Sequence, residues 1–130
     1  MPIPEGFHHV TLTVTDRARS STWYQQVLGI DKVADREGDG WTRVLLRASN
    51  GLMIGLTEHE ATAAGTRFDP TAVGLDHVSI GCEGRNGVEA WASHLDQLGV
   101  AHPGVVDAPA GSLLVVKDPD GIPLEFFASA

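Results

Sequence analysis

The chain has a single cysteine, Cys82, so it can form no internal disulfide, and a disulfide-stapled secreted scaffold is excluded. No apolar run approaches the roughly 18 residues that a membrane-crossing helix needs. The start, Met1-Pro2-Ile3-Pro4-Glu5, lacks the basic and apolar regions of a signal peptide. These absences lead to the expectation of a cytoplasmic protein with no membrane partner. Cations are scarce: nine Lys and Arg stand against 17 Asp and Glu, a formal net charge of −8. That balance repels phosphate backbones, so nucleic acid is not an expected partner. What is present is ordinary globular composition, 42% hydrophobic and 20% charged, in 130 residues. That length suits one domain and is too short for two independent ones. Fifteen Gly and seven Pro are spread along the chain, which fits tight turns between short strands.

An internal repeat organises the sequence. Gly6-Phe7-His8-His9-Val10-Thr11-Leu12 is answered 68 residues later by Gly74-Leu75-Asp76-His77-Val78-Ser79-Ile80, and Trp23 by Trp91. After a two-residue insertion the offset becomes 70. Leu28-Gly29-Ile30 then lies over Leu98-Gly99-Val100, and Asn50-Gly51-Leu52-Met53-Ile54-Gly55-Leu56 over Asp120-Gly121-Ile122-Pro123-Leu124-Glu125-Phe126. The expectation is a single domain of two modules, spanning residues 5–58 and 74–128, joined by a polar stretch from Glu58 to Val73.

His9 to Val14 alternates apolar Val10, Leu12 and Val14 with polar His9, Thr11 and Thr13, the pattern of a half-buried strand, and His77 to Cys82 repeats it. A helix follows in each module. The first is predicted from Asp16 to Leu28, stopping at Gly29. The second is predicted to open at an Asn86 cap, to bury Val88, Trp91, Ala92, Leu95 and Leu98, and to stop at Gly99. Asn50-Gly51 and Asp118-Pro119-Asp120-Gly121 are turn signals joining the last two strands of each module. Each module therefore reads βαβββ.

The repeat singles out four equivalent positions, His9, Gly55, His77 and Glu125, and three are metal ligands by type. Imidazole and carboxylate suit one divalent ion (Fe, Mn, Zn or Ni), and a set of two His and one Glu leaves coordination positions open for a substrate. Strand parity turns His9 and His77 away from the apolar face, and Glu125 away from Leu124 and Phe126. Glu125 is also the candidate catalytic residue.

At this point the chain resembles the vicinal oxygen chelate superfamily, which includes glyoxalase I, bleomycin-resistance proteins, type I extradiol dioxygenases, fosfomycin-resistance enzymes and methylmalonyl-CoA epimerase. The carriers are His9-Val10-Thr11-Leu12-Thr13-Val14-Thr15-Asp16, Trp23-Tyr24, Leu28-Gly29, Leu75-Asp76-His77-Val78, Asp118-Pro119-Asp120-Gly121 and Leu124-Glu125. The resemblance implies an α+β fold of two βαβββ modules, forming an open cup of mixed β-sheet with the helices outside. It also implies a homodimer and a metal held by His9, His77 and Glu125. Gly55 stands where glyoxalase I carries a glutamate, so glutathione-dependent glyoxalase chemistry lacks one of its ligands and its proton carrier. Three ligands without a fourth match the dioxygenases and the fosfomycin-resistance transferases.

Parity in the hairpins is expected to place Val44 and Leu46 on the face of Met53 and Gly55, and Ser112, Leu114 and Val116 on the face of Glu125 and Phe127. The candidate substrate wall is then Thr11, Met53, Gly55, Thr57, Ser79, Ser112, Leu114 and Phe127, with Arg43, Arg47 and Lys117 on the opposite parity at the surface. A wall without cations disfavours a phosphonate, whose charge would be buried unpaired. A small neutral or mildly acidic, partly aromatic substrate with two adjacent oxygens is expected. Trp23 and Trp91 read as core residues, Cys82 as a buried structural thiol, and His8 and His59 as exposed. The leading functional reading is a glyoxalase-like or dioxygenase-like metalloenzyme. The competing one is a metal-free small-molecule binding protein of the bleomycin-resistance type.

Overall fold

The order strand, helix and three strands occurs twice in the computed structural model, which describes residues 1–130. The first unit, residues 1–66, contains β1 (Val10–Thr13), α1 (Arg17–Leu28), β2 (Asp31–Gly38), β3 (Trp41–Arg47) and β4 (Met53–His59). The second, residues 67–130, contains β5 (Val78–Gly81), α2 (Gly84–Gln97), β6 (Val106–Ala108), β7 (Gly111–Lys117) and β8 (Pro123–Ser129). Each unit has one four-stranded mixed sheet, ordered β1-β4-β3-β2 and β5-β8-β7-β6. In each the first strand runs parallel to the last, because the intervening helix carries the chain back across the sheet.

The helix signals act largely as the sequence suggests. Asp16 caps α1 by accepting the Arg19 amide at 3.0 Å, and Gly29 ends it in the left-handed region at φ 62°. α1 buries Ser20, Ser21, Tyr24 and Val27 against its sheet, beside Leu12, Val44, Leu46, Ile54 and Leu56. α2 begins earlier than predicted, with Glu83 at its cap position rather than Asn86, and Leu98 caps its end and remains exposed. Trp91 is half-buried and stacks on Phe126 with ring centroids 4.4 Å apart. Trp23 is likewise half-buried rather than interior, packed edge-on against the fully buried Tyr24.

Both hairpins depart from the expected register by one residue. Arg47 pairs with Met53 and Lys117 with Pro123, so odd-numbered residues face odd-numbered ones. The cause is a connection one residue longer than a two-residue Asn-Gly turn. Ala48 closes against Leu52 and Asp118 against Ile122, leaving three residues at each tip. Gly51 and Gly121 adopt φ of 94° and 86° and donate to the carbonyls of Ala48 and Asp118, which an L side chain would resist. A one-residue shift exchanges the two faces of a strand. Val44 and Leu46 therefore lie on the α1 side of the first sheet, and Ser112, Leu114 and Val116 on the α2 side of the second, all buried. The faces turned away from the helices carry Arg43, Leu45 and Arg47 beside Met53, Gly55 and Thr57, and Leu113, Val115 and Lys117 beside Glu125 and Phe127.

Candidate functional site

In the second unit His77 immediately precedes β5, and Ser79 pairs with Glu125 on β8. The two-residue period of a strand puts His77, Ser79 and Glu125 on one face, while Leu124 and Phe126 point into the core. Glu125 Oε1 accepts the Ser79 hydroxyl at 2.8 Å and lies 3.8 Å from His77 Nε2. The Glu125 side chain is 16% exposed and that of His77 43%. On the other side of the ring, His77 Nδ1 lies 2.6 Å from Asp76 Oδ1. An ionised carboxylate can only accept, so Nδ1 carries the proton and a neutral ring presents its Nε2 lone pair to the space beside Glu125. The Asp76 hydrogen bond raises the imidazole above its ordinary value of 6.5; burial opposes this and the Glu125 and Asp76 charges add to it.

This is a donor set suited to a divalent ion. Nitrogen from the residue before β5 and carboxylate oxygen from β8 converge, and a second carboxylate fixes the tautomer of the ring, as outer partners of metal-bound histidines do. The residue-level reading had not singled out Asp76. It corresponds in the repeat to His8, but the sequence carries no signal that either residue contacts the ring beside it. In the first unit His8 Nδ1 meets His9 Nδ1 at 2.8 Å, so the residue before each candidate ligand contacts the same ring nitrogen, through an imidazole in one unit and a carboxylate in the other. His9 is exposed, just ahead of β1. Within neither unit do three His, Cys, Asp or Glu side chains gather for a metal ion.

Thr11 pairs with Gly55 on the open face of the first sheet, and a Cβ at Gly55 would meet Thr11 Oγ1 at 2.8 Å and Leu45 Cδ2 at 3.4 Å. The position where a fourth ligand would stand is thus occupied by the threonine. Thr57, 1% exposed, accepts the Arg43 Nε at 2.7 Å, and the guanidinium carbon lies 4.5 Å from the centroid of Trp41. Of the candidate wall residues, Thr11, Met53, Gly55 and Thr57 share the open face of the first sheet, and Ser79 and Phe127 that of the second. Ser112 and Leu114 do not belong to the wall. They are 9% and 0% exposed on the α2 side, where the Ser112 hydroxyl donates to Asp107. Arg43, Arg47 and Lys117, expected on the opposite parity at the surface, share the open faces with the candidate wall residues instead, and Arg47 and Lys117 are exposed there. Only the loop length at the hairpin tips, which residue types alone leave open, could have revealed them.

Cys82 is half-buried, and burial pushes its thiol above 9.0, which suits an inert residue. His102 pairs with Asp96 at 2.7 Å, away from these faces.

A family model described as the Glyoxalase/Bleomycin resistance protein/Dioxygenase superfamily matches residues 6–126, nearly the whole chain. The chain belongs to this superfamily. The fold agrees with that of a glyoxylase/bleomycin resistance protein/dioxygenase domain from Frankia sp. EAN1pec at 30% identity and a TM-score of 0.88, covering 98% of this chain and 94% of that one. A lactoylglutathione lyase from Agrobacterium tumefaciens has the same fold at 21% identity and a TM-score of 0.74, over 96% and 94% of the two chains. So does the fosfomycin resistance protein FosX from Listeria monocytogenes in complex with Mn(II) and a dihydroxypropylphosphonic acid, at 18% identity and a TM-score of 0.67, over 98% and 95%. No curated protein sequence matches significantly. The superfamily includes enzymes, and the FosX structure contains Mn(II). No helix of this member is long and apolar enough to cross a membrane.

Proposed function

We propose that this chain is a metal-dependent enzyme acting on a small substrate with two adjacent oxygens, with His9, His77 and Glu125 holding one divalent ion. The observation that carries the reading is the approach of His77 Nε2 to Glu125 Oε1 at 3.8 Å, with Asp76 fixing the imidazole from behind. When bound, a divalent ion supplies Lewis acidity that stabilises negative charge developing on substrate oxygens. The chain's own residues do the rest. Ser79 holds Glu125 Oε1, which orients the carboxylate and leaves its other oxygen to take or return a substrate proton. Phe127 on the same face excludes water, and Thr11 offers a hydroxyl above Gly55. With glycine at that position and Thr11 filling the space above it, Glu125 is the candidate carboxylate for proton transfer.

A homodimer, in which His9 of one chain joins the His77 and Glu125 pair of another, belongs to the same proposal. Titration with Mn(II), followed by electron paramagnetic resonance, tests the site. Wild type should bind the ion stoichiometrically, whereas His77→Ala and Glu125→Gln should lose it. Stoichiometric binding in both variants would reject the assignment. The competing reading is a metal-free binding protein. Tight capture of an aromatic drug, indifferent to chelator, would support it.

A further inference from the structure

The expectation of a neutral substrate rested on an open face without cations, and the hairpin register removes that basis. On the first sheet Arg43 on β3 stands directly opposite Arg36 on β2, with Thr57 on its other side. Like charges directly opposite one another on antiparallel strands are destabilising. The pair stands in a chain with only nine Lys and Arg among 17 acids, none of which neutralises it. Arg17 and Lys32 pair with Asp35, and Arg85 with Glu89 and Asp107, but neither Arg36 nor Arg43 has a carboxylate partner. Arg36 Nη1 reaches only the main-chain oxygen of Asp35, at 2.9 Å.

Arg43 is also held in place. Its Nε donates to the buried Thr57 hydroxyl, and its guanidinium lies against the Trp41 ring, so the planar fork is oriented before any ligand arrives. Both terminal nitrogens lack a protein acceptor. A half-buried, pinned guanidinium with its fork free, on a strand whose partner carries a second arginine at the paired position, is arranged to bind two oxygens of one anion. Leu45 and Gly55 form the next pair along the same face, so an apolar body can lie between this anchor and Thr11.

We propose that Arg43, assisted by Arg36, binds an oxyanionic group of the substrate, a carboxylate or phosphonate, through the fork of its terminal nitrogens. This deepens the proposed function and rests on its reading of the open face as the substrate face, but the anion site needs no metal and can be tested without one. Full-length protein stripped with chelator is titrated with phenylacetate, benzylphosphonate and neutral phenylacetamide. Calorimetry gives affinity, and NMR follows the Arg43 Nε–Hε resonance in the wild-type chain, which requires no variant to fold. Both anions should move that resonance and bind at least about tenfold more tightly than the amide. The tighter of the two identifies the anion class. Arg43→Gln should abolish the preference, Arg43→Lys should keep only part of it, and Arg19→Gln on α1 should leave it intact. An unmoved Arg43 resonance, equal binding of amide and anions, or an unchanged preference in Arg43→Gln would overturn the proposal. Loss of Mn(II) binding in wild type, with the anion preference intact, would reject the metal reading alone.

Discussion

At Gly55 a single absent side chain decides what the first sheet can offer. The residue lies on the open face, as a fourth ligand would require, but Thr11 leans over it so closely that a Cβ there would sit 2.8 Å from Oγ1. A β-branched neighbour has few rotamers into which to retreat. Gly55→Glu alone should therefore cost about 1–3 kcal/mol, the usual penalty for overfilling a packed site. Thr11→Ala combined with Gly55→Glu should recover most of it in thermal melts, and should bind Mn(II) more tightly than Thr11→Ala alone. An undiminished melting temperature in Gly55→Glu would show that the threonine yields freely. Ser20 makes the opposite case. It is 1% exposed in α1 and its hydroxyl has no hydrogen-bond partner. Ser20→Ala removes an unsatisfied buried group and improves helix propensity, so it should raise stability by about 1 kcal/mol in urea denaturation.

Elements are tied together by a few charges outside the candidate site. Arg85 at the start of α2 pairs with Asp107 on β6, which also accepts the Ser112 hydroxyl. The Arg85 hydrogen bond, then the Ser112 one, holds the Asp107 carboxyl below its ordinary 3.8. A carboxylate depressed in the folded state stabilises the fold above its unfolded value and loses that contribution as pH falls through the folded one. Asp107→Asn should therefore be less stable than wild type near neutral pH, with the difference vanishing at pH values well below 3.8. Because the pair is exposed, molar salt should narrow the same difference. A pH-independent gap in urea melts would contradict this. The β7–β8 turn depends on Asp118, which is 5% exposed and accepts the amides of Asp120 and Ile122 at 2.9 and 2.8 Å. Asp118→Ala should cost about 2 kcal/mol or more by orphaning those donors.

For the molecule as a whole, the decisive question is which chain supplies each ligand. If His9 of one chain completes the His77 and Glu125 pair of another, a mixture of His9→Ala and Glu125→Ala chains should assemble mixed dimers that retain an intact site. Such a mixture, unfolded and refolded together, should recover Mn(II) binding that neither variant shows alone. Recovery no greater than the two separate variants would place all three ligands in one chain. Sedimentation should show wild type as a dimer.

Much of this protein could be read directly from its residues. The repeat, both helix stops, the βαβββ order and the facing of Glu125 away from Leu124 and Phe126 follow from local spacing and alternation, which depend on near neighbours in the chain. The Asp76 brace was not legible, because the repeat aligns Asp76 with His8 but only the structure shows each of them in contact with the ring that follows it. Nor were the hairpin faces. Whether two or three residues form a tip depends on which pairing best buries Val44, Leu46, Leu114 and Val116 under the helices, and one residue of slip exchanges every side chain of a strand. That choice between core and open face is made by tertiary packing, and it moved Arg43, Arg47 and Lys117 onto the face where a ligand would lie.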